Sequence, residues 1–206
     1  MVVLRTFLLL AIGWAALALA VKVLIARGGG RRDFSRRAGR PIVGLFYNFT
    51  VAISPGHKES ARLHPAEFVA GVVLHAGVFA ALAEVLALLA GANVMVSWNA
   101  PLRVLAGVGA ATAIVLLVRR LQSPVLRALS TPDDYLAGLA TCGLLVLAVF
   151  PALGSGAALM TYAAFLFLYL PLGKLRHAVF FFVARADYGW RLGHRGVYPP
   201  ARVEAE

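Results

Sequence analysis

Long apolar runs broken by very few charges constrain this chain more than any other feature. Over residues 2–25 the charged side chains are Arg5 and Lys22 alone. A bilayer core takes about 20 mostly apolar residues in helical form. By that measure four further runs qualify, at 68–90, 102–118, 135–153 and 156–182. Helix is the form they must take, because an unpaired backbone group in lipid is costly and barrel strands would alternate in polarity. Boundary signals agree: Gly91-Ala92-Asn93 follows the second run, Pro101 opens the third, and Thr131-Pro132-Asp133-Asp134 precedes the fourth. With 14% charged residues, against roughly a quarter in soluble domains, a water-soluble fold is excluded. The expected fold is all-α, a single membrane domain over 1–206 built as a bundle of five transmembrane helices. The first run is too long for a signal-peptide core and is read as a retained helix.

The net charge of +11 comes from 20 Lys and Arg against 9 Asp and Glu. On a soluble protein this excess would point to nucleic acid. Here eighteen of the twenty basic residues fall in the 26–63 loop, the loop after the third run, the 183–206 tail, or the apolar ends beside them. Only Arg5 and Arg103 lie at the other ends. The positive-inside rule then puts the amino terminus outside and the carboxyl terminus in the cytoplasm, and the nucleic-acid reading loses its support. The basic cluster at 31–40 keeps a second reading, as a contact for anionic lipid or an acidic partner. The apolar stretch at 42–53 is too short to span and is expected to lie along the interface or re-enter.

Polar residues inside the apolar runs are few. The one cysteine, Cys142, excludes a disulfide framework or a cysteine-ligated metal site. His75 sits within the second run and His177 near the inner end of the fifth. An ionisable residue within a span raises a functional hypothesis by default. Two histidines on two helices, at comparable depth, fit the axial pair of a haem, whose bis-imidazole ligation suits electron transfer. Gly71, Gly77 and Gly173 would leave room for a flat macrocycle. The alternative is that each histidine hydrogen-bonds a neighbouring helix and that the small residues serve close packing. His64 shares a helix face with His75 if the helix is continuous, since eleven residues at 100° return within about 20°. It is an alternative ligand, although Arg62, Pro65 and Glu67 around it favour a solvated position. Glu84 is the only acidic residue inside an apolar run, on the face opposite His75. It is expected either neutral and hydrogen-bonded or engaged in proton handling. With no paired charges in the membrane, a transporter is weakly supported.

Three stretches carry a resemblance: Leu74-His75-Ala76-Gly77-Val78, then Arg119-Arg120 through Ser123-Pro124 to Asp133-Asp134-Tyr135, and Pro171-Leu172-Gly173-Lys174-Leu175-Arg176-His177. Together with the topology, they resemble the gamma subunit of respiratory nitrate reductase. The wider family includes the membrane cytochrome b subunits of heterodisulfide-reductase-like and dissimilatory-sulfite-reductase-linked complexes. The resemblance implies that His75 and His177 are the axial ligands, through the haem iron, of a haem b nearer the cytoplasm. Ligands for a second, outer haem would fall near Glu84 and near Leu159, where no histidine stands. One haem is therefore expected.

The resemblance further implies an electron-transfer subunit without a complete active site of its own, working in a respiratory oxidoreductase complex. It would exchange electrons between menaquinone or ubiquinone and a cytoplasmic iron–sulfur subunit, in a bacterial or archaeal cytoplasmic membrane. Arg185, Tyr188, Trp190 and Arg191 are of the types enriched at protein interfaces and form a candidate docking surface. The same residues equally suit an anchor at headgroup level. The alternative function, from a different class, is a haem-free anchor that recruits a soluble complex to the membrane.

Overall fold

The computed structural model describes residues 1–28, 39–91, 96–150 and 156–193. Of the basic cluster at 31–40, Arg31, Arg32, Arg36 and Arg37 lie outside this set, as do His194 and the tail beyond it. The described residues form helices and turns, with no strand among them. The helices are α1 (Val2–Gly28), α2 (Pro41–Phe49), α3 (Glu59–Leu63), α4 (Pro65–Ala90), α5 (Val96–Gln122), α6 (Pro124–Leu129), α7 (Pro132–Val149), α8 (Gly156–Tyr169) and α9 (His177–Leu192). Among the described residues four helices are long and apolar enough to cross a membrane: Val2–Gly28, Pro65–Ala90, Ala100–Gln122 and Pro132–Val149. A fifth is reached only if Gly156–Tyr169 and Lys174–Leu192 count as one broken span.

That break corrects the expectation of a continuous fifth helix over 156–182. Pro171 has no N–H to donate and its ring crowds the carbonyl one turn back, so α8 cannot run through it. The chain turns instead, with the Leu172 and Gly173 amides both donating to the Tyr169 carbonyl at 2.8 and 3.2 Å. A 3₁₀ turn, Lys174–Arg176, follows before α9 begins. Helix then continues to Leu192, through much of what was expected to be tail. Pro101 lies inside α5 rather than opening it. The expected interfacial stretch is α2 followed by a 3₁₀ turn at Val51–Ile53.

The described chain groups into two compact units. The first contains Met1–Leu19 and Ala66–Arg176, that is, most of α1 with α4 to α8. Its core draws Leu8 and Ala11 from α1, Ala81 and Val85 from α4, and Ala106 and Ala110 from α5. Leu144 and Leu145 of α7 and Leu159, Met160 and Ala163 of α8 complete it. Alanine predominates inside, while Leu9, Leu10, Phe79, Val104, Val115 and Phe165 face outward. Water would not tolerate large apolar side chains outside and small ones within. Lipid does, because helices packing in hydrocarbon gain from close backbone approach and not from hiding grease.

The approach is closest between α4 and α5. A Cβ on Gly77 would stand 2.8 Å from Gly109 Cα and 2.9 Å from the Leu105 carbonyl oxygen. On the other side of the bundle Trp14 Nε1 donates to the Leu168 carbonyl at 3.2 Å, and Phe7 meets Phe165 edge-on at 5.9 Å, joining α1 to α8. The hydroxyls of Thr112, Thr141 and Thr161 each donate to the carbonyl four residues back, at 2.8 Å. Such self-satisfaction is what a hydroxyl requires where no water is present.

The second unit comprises Ala20–Pro65 and His177–Glu206. In it α2 and α9 cross at two glycines. A Cβ on Gly189 would lie 2.7 Å from the Gly44 carbonyl group. Asn48, buried in this unit, donates from Nδ2 to the Gly44 carbonyl at 2.9 Å. Phe49 stacks on Phe182 at 6.2 Å.

Candidate functional site

His75 lies in the third turn of α4 with its ring on the exterior of the first unit. Its Nδ1 is 2.6 Å from the Gly71 carbonyl oxygen, one helical turn earlier. A carbonyl can only accept, so Nδ1 carries the proton and donates. In the neutral ring Nε2 is then the nitrogen with the lone pair. A backbone carbonyl holding one ring nitrogen while the other presents a lone pair is how proteins orient ligating histidines. Phe79, one turn further on, has its ring centroid 6.4 Å away.

The three glycines expected to give room beside the histidines differ in their surroundings. At Gly71 a Cβ would meet nothing within 4 Å, so the surface next to His75 is open. At Gly77 the room is taken by the α5 backbone, which corrects its assignment to cofactor packing. At Gly173 the neighbour is the Tyr169 ring, the end of a side chain that can turn away. Glycine type alone could not separate these cases, because each depends on a neighbour distant in sequence or on a turn.

His177 is the first residue of α9, exposed, and belongs to the second unit. His64 is exposed and stands between α3 and α4, not within a helix. The continuous helix that would have placed it on the His75 face is broken at Pro65, so that route to an alternative ligand is removed. His57 sits in the turn after Val51–Ile53, with Nδ1 3.1 Å from Ser54 Oγ. Among the described residues no group of three or more His, Cys, Asp or Glu is gathered as a multidentate metal site.

Glu84 is half-buried on α4, and the positive charge of Arg103 on α5 reaches it. In the second unit Arg185 lies over the Phe181 ring, 5.5 Å from its centroid. Arg191 Nη1 is 3.7 Å from Asp187 Oδ2, one turn apart. Tyr188 and Trp190 are exposed, at 55% and 49%. The four residues expected to form a docking surface thus share one short helix.

Sequence reasoning missed a polar network at the other end of the first unit. Asp134 Oδ2 accepts from the Thr131 amide at 2.8 Å, the Thr131 hydroxyl at 2.9 Å and Lys174 Nζ at 2.5 Å. Its Oδ1 pairs with Arg120 Nη1 at 3.0 Å. Arg120 also donates to Ser130 Oγ at 3.0 Å, and the Tyr169 hydroxyl donates to Asp133. Arg119 and Glu67 form a further pair at 2.5 Å. The network ties the start of α7 to the end of α5 and to the turn three residues before His177. The signal was present in Thr131-Pro132-Asp133-Asp134, but it read only as a helix start.

Comparison with known proteins finds no matching family model, no matching curated protein and no matching solved structure.

Proposed function

We propose that this chain is the membrane-embedded cytochrome b subunit of a respiratory oxidoreductase complex. In this reading it exchanges electrons between membrane quinone or quinol and a cytoplasmic iron–sulfur subunit. His75 and His177 would each offer a ring nitrogen to the iron of one haem b, which would bring one-electron redox chemistry to the subunit. The observation that carries the reading is the bond from His75 Nδ1–H to the Gly71 carbonyl, next to open surface at Gly71. It sets the tautomer, aims the ring and raises the basicity of Nε2. The local resemblance to the nitrate reductase gamma subunit supports the same two residues.

The other residues take supporting parts. The Asp134 network holds the turn that leads into His177. Arg185, Tyr188, Trp190 and Arg191 offer the iron–sulfur subunit an arginine and aromatic surface. Glu84 is the candidate for proton handling during quinol chemistry. The charge distribution supports an amino terminus outside and a carboxyl terminus in the cytoplasm of a bacterial or archaeal membrane.

The test is a dithionite-reduced minus oxidised spectrum of the full chain, expressed with ample haem supply. A low-spin b-type spectrum with one haem per chain is expected. His75→Ala and His177→Ala should each abolish it, and His64→Ala should leave it intact. Absence of haem absorbance in the parent chain would overturn the reading in favour of a haem-free anchor.

A further inference from the structure

At the end of the first unit where α1 and α5 begin and α4 ends, two arginines are left with unmet donors. Arg5 projects from the second turn of α1 and lays its guanidinium over Gly91, just past α4. A Cβ built there would stand 3.1 Å from both terminal nitrogens. Arg103, on α5, brings its charge to Glu84 of α4. Arg5 thus meets the carboxyl end of α4, and Arg103, two residues before Leu105 where α5 packs on Gly77, lies toward that same end. The Nε of each is buried and has no hydrogen-bond partner among the described residues.

A buried guanidinium N–H without an acceptor is unusual, since native structures pair nearly all such groups. Two at the same end of the unit call for an acceptor that the described residues do not provide. Charge narrows what it is. Arg5 and Arg103 contribute two positive charges, against the single carboxyl of Glu84. The partial negative charge at the α4 carboxyl end is countered by the amino ends of α1 and α5. The end is left net positive. Position narrows it further, because the cluster sits at the ends of membrane-length helices, where headgroups lie. The planar fork of arginine matches phosphate oxygens bidentately.

We propose that Arg5 and Arg103 form a binding site for the phosphodiester of an anionic lipid headgroup. The site is independent of the haem-ligand reading and lies at the opposite end of α4 from Gly71. Glu84, on α4, is an acidic neighbour of the site.

The experiment is native mass spectrometry of the full chain in detergent, titrated with phosphatidylglycerol, phosphatidylcholine or inorganic phosphate. The parent chain should retain phosphatidylglycerol in preference to phosphatidylcholine, and millimolar inorganic phosphate should not displace it. Arg5→Gln/Arg103→Gln should lose affinity about tenfold or more, as removal of charge-assisted hydrogen bonds implies. The control Arg127→Gln, at a distant basic residue, should bind as the parent does. Glu84→Gln should bind several-fold more tightly, because it removes the competing carboxylate. Equal retention of the two lipids by the parent chain would overturn the proposal, whatever the variants do. Displacement by inorganic phosphate would overturn the lipid assignment, and unchanged binding in the double variant would overturn the site.

Discussion

Asp134 gathers four donors on one carboxylate, from Thr131, Lys174 and Arg120. Exposed ion pairs taken singly contribute little, but here the carboxylate also completes the first turn of α7 and holds the Lys174 turn. Asp134→Asn should therefore lower the unfolding midpoint of the detergent-solubilised chain by several degrees. Arg120→Gln should act through the same network, so the double variant should be less destabilised than the two singles together. A thermal-shift series over the four proteins measures this coupling, and strict additivity would contradict a shared network. His75 makes a different point at the same scale. Its residue type marked it as a ligand candidate, but which ring nitrogen holds the lone pair followed only from its bond to Gly71.

For the elements, glycine positions separate packing from open surface. Gly77→Val puts side-chain atoms into the α5 backbone at Gly109, where neither chain has a flexible end to move. A cost of about 1–3 kcal/mol is expected, as for overpacked cores. Gly71→Ala, on the same helix, meets nothing and should leave stability within about 0.5 kcal/mol of the parent. The larger Gly71→Leu should instead reduce haem content, by crowding the surface beside His75. Denaturation followed by helix content, together with haem quantification, distinguishes the two glycines. Equal destabilisation at both would contradict the α4–α5 contact. Gly189→Ala should likewise loosen the α2–α9 crossing, where its Cβ would press on the Gly44 carbonyl group. Increased protease cleavage within α2 would report it.

For the molecule as a whole, the apolar runs were legible because hydropathy over twenty residues is a local sum that neighbours do not alter. The runs at α1, α4, α5 and α7 all reappear as membrane-length helices. The break before α9 was signalled by Pro171 and Gly173, but the apolar content on both sides outweighed them. Orientation rests on the charge distribution and is open to a direct check. Cysteine introduced at Val2, in a Cys142→Ser background, should react with an impermeant thiol reagent in intact cells. Cysteine at Ala201 should react only after permeabilisation. The reverse pattern would invert the proposed topology.

By itself the sequence determined helical form, the number of candidate spans to within one, and a short inventory of polar residues inside them. These follow from costs paid by each stretch of backbone separately in hydrocarbon. Tertiary structure alone decided which glycines are filled, that Arg103 attends Glu84, and that Asp134 collects its donors from three separate places in the chain. It also divided the chain into two units. Each of these depends on a distance between residues far apart in sequence, and pairwise forces that short are set only once the helices have packed.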